Sequence, residues 1–293
     1  MTGVLGVIPA RYASTRFPGK PLATLGDKSM VEQVWGRASR ASRLDRLLVA
    51  TDDRRIVEAC ERFGAEVMLT AASHASGTDR VAEVAERLGD RYSIVINIQG
   101  DEPLLTPTSI DNLVATFDGD SPVQMATLAE PIASPEELFD PNVVKLVTAR
   151  DGRALYFSRS PIPYHRTAAA ELHHDFREAL ARRPDGLSGY RKHQGIYAYT
   201  RDALLALSRL APSPLERDEG LEQLRALYLG FHLQVVDSDF RSQAVDTPAD
   251  LERVAKLLTE ARDVLSKKRR EVSIGNSRVA TPDRLNFASH LVA

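Results

Sequence analysis

The strongest constraint on the fold is an alternation: short apolar runs bounded by breakers, each followed by a stretch whose apolar residues recur at helical spacing. Val4, Leu5, Val7 and Ile8 form the first run, ended by Pro9, which cannot continue a hydrogen-bonded ladder. Met30, Val34, Trp35 and Ala38 repeat at helix spacing within residues 30–41, and residues 47–49 are a second run. Ile56, Val57, Cys60 and Phe63 mark the next helix, closed by Gly64, and residues 67–69 are a third run. This βαβαβ opening predicts parallel strands with right-handed crossovers. Further strands are predicted at 94–98, 125–131, 143–147 and 233–236, and helices at 135–138, 221–227 and 249–258. The fold class is α/β: a mixed, mostly parallel central sheet flanked by helices.

Composition excludes several classes. Hydrophobic residues at 43% and charged residues at 27% are ordinary for a globular protein, and a net charge of −2 argues against a general nucleic-acid binder. No stretch approaches the roughly 20 apolar residues of a membrane span, and no charged segment followed by an apolar one opens the chain. A cytoplasmic protein with no nucleic-acid or membrane partner is expected. Cys60, the only cysteine, lies on the apolar side of its helix and is expected to pack there.

The loop after the first strand carries Arg11, Arg16 and Lys20, interleaved with Ser14, Thr15 and Gly19 and with almost no acidic residue. An ordinary basic loop is solvated. This one directly follows a buried strand and is stiffened by Pro9, Pro18 and Pro21, which favours an anion site. Small residues admit backbone N–H groups close to an anion, and unpaired cations call for a polyanion such as a triphosphate. The loop is not Walker A, which needs glycine where Ser14 stands and a hydroxyl residue where Pro21 stands, and no GxGxxG follows the strand. Asp101 falls just beyond the strand at 94–98, where ligand crevices of parallel sheets lie, and a carboxylate facing phosphates suits Mg²⁺. In the segment 246–250, Thr247 reads as a helix cap with Pro248 and Asp250 behind it, which leaves Asp246 spare. No HExxH or Cys/His cluster indicates zinc.

PARYASTRFPGKP at 9–21 closely resembles the signature of the 3-deoxy-manno-octulosonate cytidylyltransferases. IQGDEP at 98–103, ALYFSRSPIP at 154–163, KHQGIYAY at 192–199, LEQLR at 221–225 and VDTPADLE at 245–252 are similar too, so the resemblance covers about residues 5–258. It implies a nucleotide-diphospho-sugar transferase-like fold. It also implies transfer of CMP from CTP to the anomeric hydroxyl of 3-deoxy-D-manno-octulosonate, an acidic eight-carbon sugar, for lipopolysaccharide biosynthesis. The catalytic residues would be Arg11, Lys20, Asp101 and Asp246, the last two holding Mg²⁺. Arg16, Ser76, Gly77 and Arg80 would join Arg11, Lys20 and Asp101 on the nucleotide. Gln99, Arg159, His193, Tyr197, Glu222 and Gln223 would meet the sugar, Arg159 at its carboxylate.

By the same resemblance residues 1–262 form a single nucleotidyltransferase domain, with a smaller sub-domain at about 131–190 used in a homodimer and an extension at 263–293. Residues 167–192, broken at Pro184, Asp185 and Gly186, are longer than the family's usual connector. Three alternatives stay open. One is a cytidylyltransferase for another acidic sugar, of 8-amino or sialic-acid type. Another is a glycosyltransferase of related fold, for which Asp237-Ser238-Asp239 supplies the Asp-x-Asp string. The third is a nucleotide-binding module without catalysis. Locally, Thr78 and Asp79 can be explained by helix capping alone.

Overall fold

The structure is a computed structural model and describes residues 3–13, 16–120, 122–171, 175–182 and 186–273. Ser14, Thr15, Pro184, Asp185 and everything past Ser273 lie outside the described residues. The architecture is α/β, a mixed and mostly parallel sheet flanked by helices, and the chain divides into two compact units, 1–111 with 239–293 and 112–238. The second unit is wider than the sub-domain expected at 131–190.

The first unit opens with β1 (Gly3–Ala10). A small hairpin, β2 (Thr24–Leu25) and β3 (Lys28–Ser29), leads into α1 (Met30–Ala38). Then β4 (Arg46–Thr51), α2 (Arg54–Arg62), β5 (Val67–Leu69), α3 (Gly77–Leu88) and β6 (Tyr92–Asn97) alternate, and α4 (Pro107–Ala115) follows. Strand order is β6-β1-β4-β5, all parallel, with Ala10 beside Thr51 and Val7 beside Asn97. All four strands therefore end on one edge. Leu5, Val7 and Ile8 on β1 are fully buried, as expected of a parallel strand covered on both faces. Cys60 is buried on α2, and burial pushes its thiol up to about 12, so it packs as an inert apolar group.

The second unit holds β7 (Met125–Pro131), α5 (Pro135–Phe139), β8 (Lys145–Thr148), β9 (Ala154–Ser158), α6 (Arg166–Glu171) and α7 (Phe176–Ala181). It continues through β10 (Arg191–Thr200), α8 (Arg201–Ser208), α9 (Pro214–Glu219), α10 (Gln223–Tyr228) and β11 (Leu233–Asp237). β7 pairs β11 in parallel and β10 antiparallel, and β8 pairs β10 and β9 antiparallel. The long connector packs inward: Leu180 of α7 joins Ile132, Leu138 and Tyr190 in one apolar cluster.

The chain returns to the first unit in α11 (Pro248–Ser273). Val254 and Leu258 pack with Leu25, Met30, Leu104 and Val245, and Phe17 from the basic loop rests on the same cluster. A solid apolar floor thus lies under that loop.

Candidate nucleotide site

β1 ends at Ala10, and the chain turns through Tyr12 and returns at Gly19, whose N–H donates to the Tyr12 carbonyl at 2.9 Å. Gly19 has φ 74°, and a Cβ there would stand 3.2 Å from the Tyr12 ring, so conformation and space both require glycine. The Arg55 guanidinium lies 3.3 Å from the Tyr12 ring centroid while also pairing with Asp53 at 2.6 Å. This closure delivers Lys20 to the strand edge.

Lys20 Nζ donates to Asp101 Oδ2 at 2.8 Å and to Asp246 Oδ1 at 3.2 Å, and Arg16 Nη2 lies 3.1 Å from Asp246 Oδ2. Burial alone would pull the Lys20 pKa down and is the largest single influence, yet the two carboxylates together raise it. Lys20 is therefore an ammonium at neutral pH. Two backbone features hold the carboxylates there. Val245 N–H donates to the Asp101 carbonyl at 2.9 Å, tying their loops together. Thr247 Oγ1 accepts from Asp250 N–H at 3.2 Å while Asp250 Oδ2 accepts from Thr247 N–H at 2.9 Å. That reciprocal cap satisfies the start of α11 without Asp246, whose side chain is spare as the sequence implied.

Beyond these groups opens a cavity of about 420 Å³, within the usual range for small-molecule sites. Arg11, Arg16, Lys20, Gly77, Gln99, Gly100, Asp101 and Asp246 all line it. A Cβ at Gly100 would come 3.1 Å from the Pro9 carbonyl, a tight contact that glycine avoids where the loop after β6 approaches the end of β1. Gln99 donates to Asn97 at 3.3 Å, and Asn97 to Thr78 at 3.4 Å.

Ser76, rather than Thr78, caps α3. Its Oγ accepts from Asp79 N–H and its N–H donates to Asp79 Oδ2, each at 3.1 Å, while Thr78 is buried beneath. Arg80 is fully buried, hydrogen-bonded to Thr70 Oγ1 and 3.4 Å from Asp52. Asp52 is a residue the sequence reading passed over; its signal was an acid at the carboxyl end of β4, on the same edge as Asp101.

Of the residues expected at the sugar, Gln99 lies in the first unit and lines the cavity, whereas Arg159, His193, Tyr197, Glu222 and Gln223 lie in the second. Arg159 donates through Nε to the Glu219 carbonyl at 2.6 Å, through Nη1 to that of Pro141 at 2.8 Å, and through Nη2 to that of Gly220 at 3.4 Å. His193 and Tyr197 rings are 5.3 Å apart, and Nε2 of His193 meets Thr127 Oγ1 at 3.0 Å. Burial pulls His193 down to about 3, so it is neutral. Burial first, and Glu222 second, raise the Tyr197 phenol well above its usual value. Gln223 is buried, and its Nε2 has no hydrogen-bond partner among the described residues. The Asp-x-Asp string is otherwise employed: Asp237 pairs with Arg191, and Asp239 accepts from the hydroxyls of Thr106 and Ser109. Neither carboxylate lines the cavity.

A parallel α/β unit with a basic loop, one carboxylate beyond a strand end and a second before a helix, both on Lys20, has the form of a nucleotidyltransferase. The cytidylyltransferase family matches residues 5–236. A 3-deoxy-manno-octulosonate cytidylyltransferase of Solibacter usitatus is 48% identical over 254 residues, 87% of this chain and 94% of that protein. One of Pseudomonas syringae pv. tomato is 51% identical over 257 residues, 86% and 96% of the two chains. The solved structure of a CMP:2-keto-3-deoxy-manno-octonic acid synthetase complexed with CTP superposes with a TM-score of 0.77 at 39% identity, covering 88% of this chain and 99% of that one. The chain belongs to the 3-deoxy-manno-octulosonate cytidylyltransferase family.

Proposed function

We propose that the chain transfers CMP from CTP to the anomeric 2-hydroxyl of 3-deoxy-D-manno-octulosonate, releasing pyrophosphate, in the cytoplasm and for lipopolysaccharide biosynthesis. The observation that carries this reading is the meeting of Lys20 with Asp101 and Asp246 at the mouth of a cavity also lined by Arg11 and Arg16. In the reaction the sugar hydroxyl gives its proton to solvent, its oxygen bonds to the α-phosphorus, the bond from that phosphorus to the bridging oxygen breaks, and pyrophosphate carries the electron pair away. Negative charge accumulates on phosphate oxygens, so positioned cations are what accelerates the step. Lys20, Arg11 and Arg16 are those cations, and Lys20, held protonated, donates hydrogen bonds rather than taking a proton.

Asp101 Oδ2 and Asp246 Oδ1 already converge on one cation, Lys20 Nζ, which is the disposition that two carboxylates sharing a Mg²⁺ need. These residues fit the metal and would hold it. Bound there, Mg²⁺ would neutralise phosphate charge and acidify the attacking hydroxyl. Ser76, Gly77 and Arg80 are assigned to the nucleotide base side, and Gln99 to the sugar. Ser76 Oγ accepts in its cap and keeps its own O–H to give.

Arg159 spends one N–H of each of its three nitrogens on carbonyls. A guanidinium has five N–H bonds, so one remains on each terminal nitrogen for the sugar carboxylate. Gln223 Nε2, buried without a partner among the described residues, suits a sugar hydroxyl. Neutral His193, with Tyr197 and Glu222, orients the sugar. A homodimer built on the second unit is part of the proposal, supported by the exposure of Leu155 and Tyr164, 52% and 55%.

The deciding experiment measures pyrophosphate release with each of the four nucleoside triphosphates against octulosonate, its 8-amino analogue and a sialic acid. CTP with octulosonate should be the fastest pair. A faster second acid would replace octulosonate, and no release with any pair would sink the nucleotidyltransferase reading.

A further inference from the structure

Lys145 on β8 is 0% exposed, and its ammonium has three N–H bonds to give. They go to the main-chain carbonyls of Asp140, Val143 and Arg159, the first two at 2.9 and 2.6 Å. None goes to a carboxylate. A buried charge whose hydrogen bonds all go to neutral carbonyls is costly even with the Asp140 and Glu219 carboxylates offsetting part of its burial, and an apolar side chain of similar length would fill the space at less cost. What the charge secures is geometry. Asp140 and Val143 bracket Pro141, whose carbonyl takes the Arg159 Nη1 bond at 2.8 Å. Lys145 therefore grips the same turn that Arg159 grips, and it grips the peptide of Arg159 as well.

We infer that Lys145 is a positioning residue for the sugar acid, fixing the Arg159 guanidinium through the 140–143 turn and through the Arg159 carbonyl. The inference rests on the assignment of Arg159 to the sugar carboxylate. No contact between Lys145 and substrate is involved. Loss of the ammonium frees the turn, lets the guanidinium tilt, and weakens carboxylate binding in ground and transition states alike, so the effect falls on KM rather than kcat.

The test is a double-mutant cycle by steady-state kinetics, with CTP saturating and octulosonate varied, on parent, Lys145→Met, Arg159→Ala and the double variant. Lys145→Met should raise the sugar KM about tenfold, leave kcat and the CTP KM within about twofold, and add nothing once Arg159 is alanine. Multiplying factors in the double variant, or an unchanged sugar KM in Lys145→Met, would overturn the inference. Should Lys145→Met not fold, Lys145→Gln, which keeps two N–H bonds for the carbonyls, takes its place. Failure of both to fold would make Lys145 a folding residue and overturn it equally. A flat sugar KM in Arg159→Ala is a separate outcome, because it removes the sugar-site assignment itself and Lys145 with it.

Discussion

Lys20 sits where two carboxylates meet, and that placement separates two effects of removing it. Lys20→Ala should lower turnover about a hundredfold, the roughly 3 kcal/mol that one charge-assisted transition-state contact supplies. It also leaves Asp101 and Asp246 facing each other with only Arg16 beside Asp246, so Mg²⁺ alone, without nucleotide, should raise the Tm of the variant by about 2–3 °C and of the parent by less. Equal Mg²⁺ shifts would show that the carboxylates do not form a cation site. His193 gives a pH signature. Its folded pKa of about 3 lies below the 6.5 of an ordinary imidazole, so the unfolded chain takes up the proton first. Stability is complete above pH 6.5 and falls as pH drops toward 3, by roughly 1–2 kcal/mol at pH 5. His193→Gln should flatten that part of a Tm-against-pH curve, and an unchanged curve would place the acid sensitivity elsewhere. Lys20, Asp101 and Asp246 could be read from the chain because each stands at a strand or helix end with no local partner. The Arg80 to Asp52 pair could not, since burial of a charged side chain by tertiary packing leaves no mark on periodicity.

The elements themselves were largely readable, and their errors are physical. β5 and β7 fall where the apolar runs stand, whereas α1 ends at Ala38 rather than 41 because the last turn gives way to a tighter one, with Arg40 N–H bonding to the Arg37 carbonyl. Thr78 and Ser76 both have hydroxyls, and Ser76 takes the cap because α3 starts two residues earlier than a Thr78 cap would place it, at Gly77. Ser76→Ala should therefore cost about 1 kcal/mol, read as a fall in Tm, while Thr78→Ala acts through its buried contact with Asn97 instead. The helical part of the 167–192 connector was visible in its composition, but its packing through Leu180 was not. Gly19 is the position where local conformation and site geometry are most tightly coupled. An alanine there must adopt left-handed φ, at about 1–2 kcal/mol, and push the Tyr12 ring aside. Gly19→Ala should raise the CTP KM more than it lowers Tm, and the reverse balance would make the turn a matter of stability only.

For the molecule as a whole, the first unit is discontinuous in sequence, and its closing segment carries more than one function at once. Residues 239–273 bring Asp246 to Lys20, bond Val245 to the Asp101 carbonyl, and set Val254 and Leu258 into the core below the basic loop. The hydrophobic pattern of α11 was visible, but the return of the chain to its own first half was not, because periodicity gives an element's buried face and not what covers it. The buried side chains Val245, Val254 and Leu258 are each worth about 1.5–3 kcal/mol, together comparable to the whole net stability of a typical domain, roughly 5–15 kcal/mol. A chain ended after Ser238 should therefore lose the first unit's cooperative melting and all pyrophosphate release. A chain ended after Arg262 keeps every one of those core residues as well as Asp246, and should melt within about 3 °C of the full chain with the CTP KM unchanged within about twofold. Both are read by calorimetry and by pyrophosphate release with CTP and octulosonate. A shortened chain ending at Arg262 that melts far lower would mean that the rest of α11 and the residues after it hold the first unit together. A chain ending at Ser238 that still released pyrophosphate from CTP would mean that the basic loop and Asp101 form the nucleotide site without Asp246.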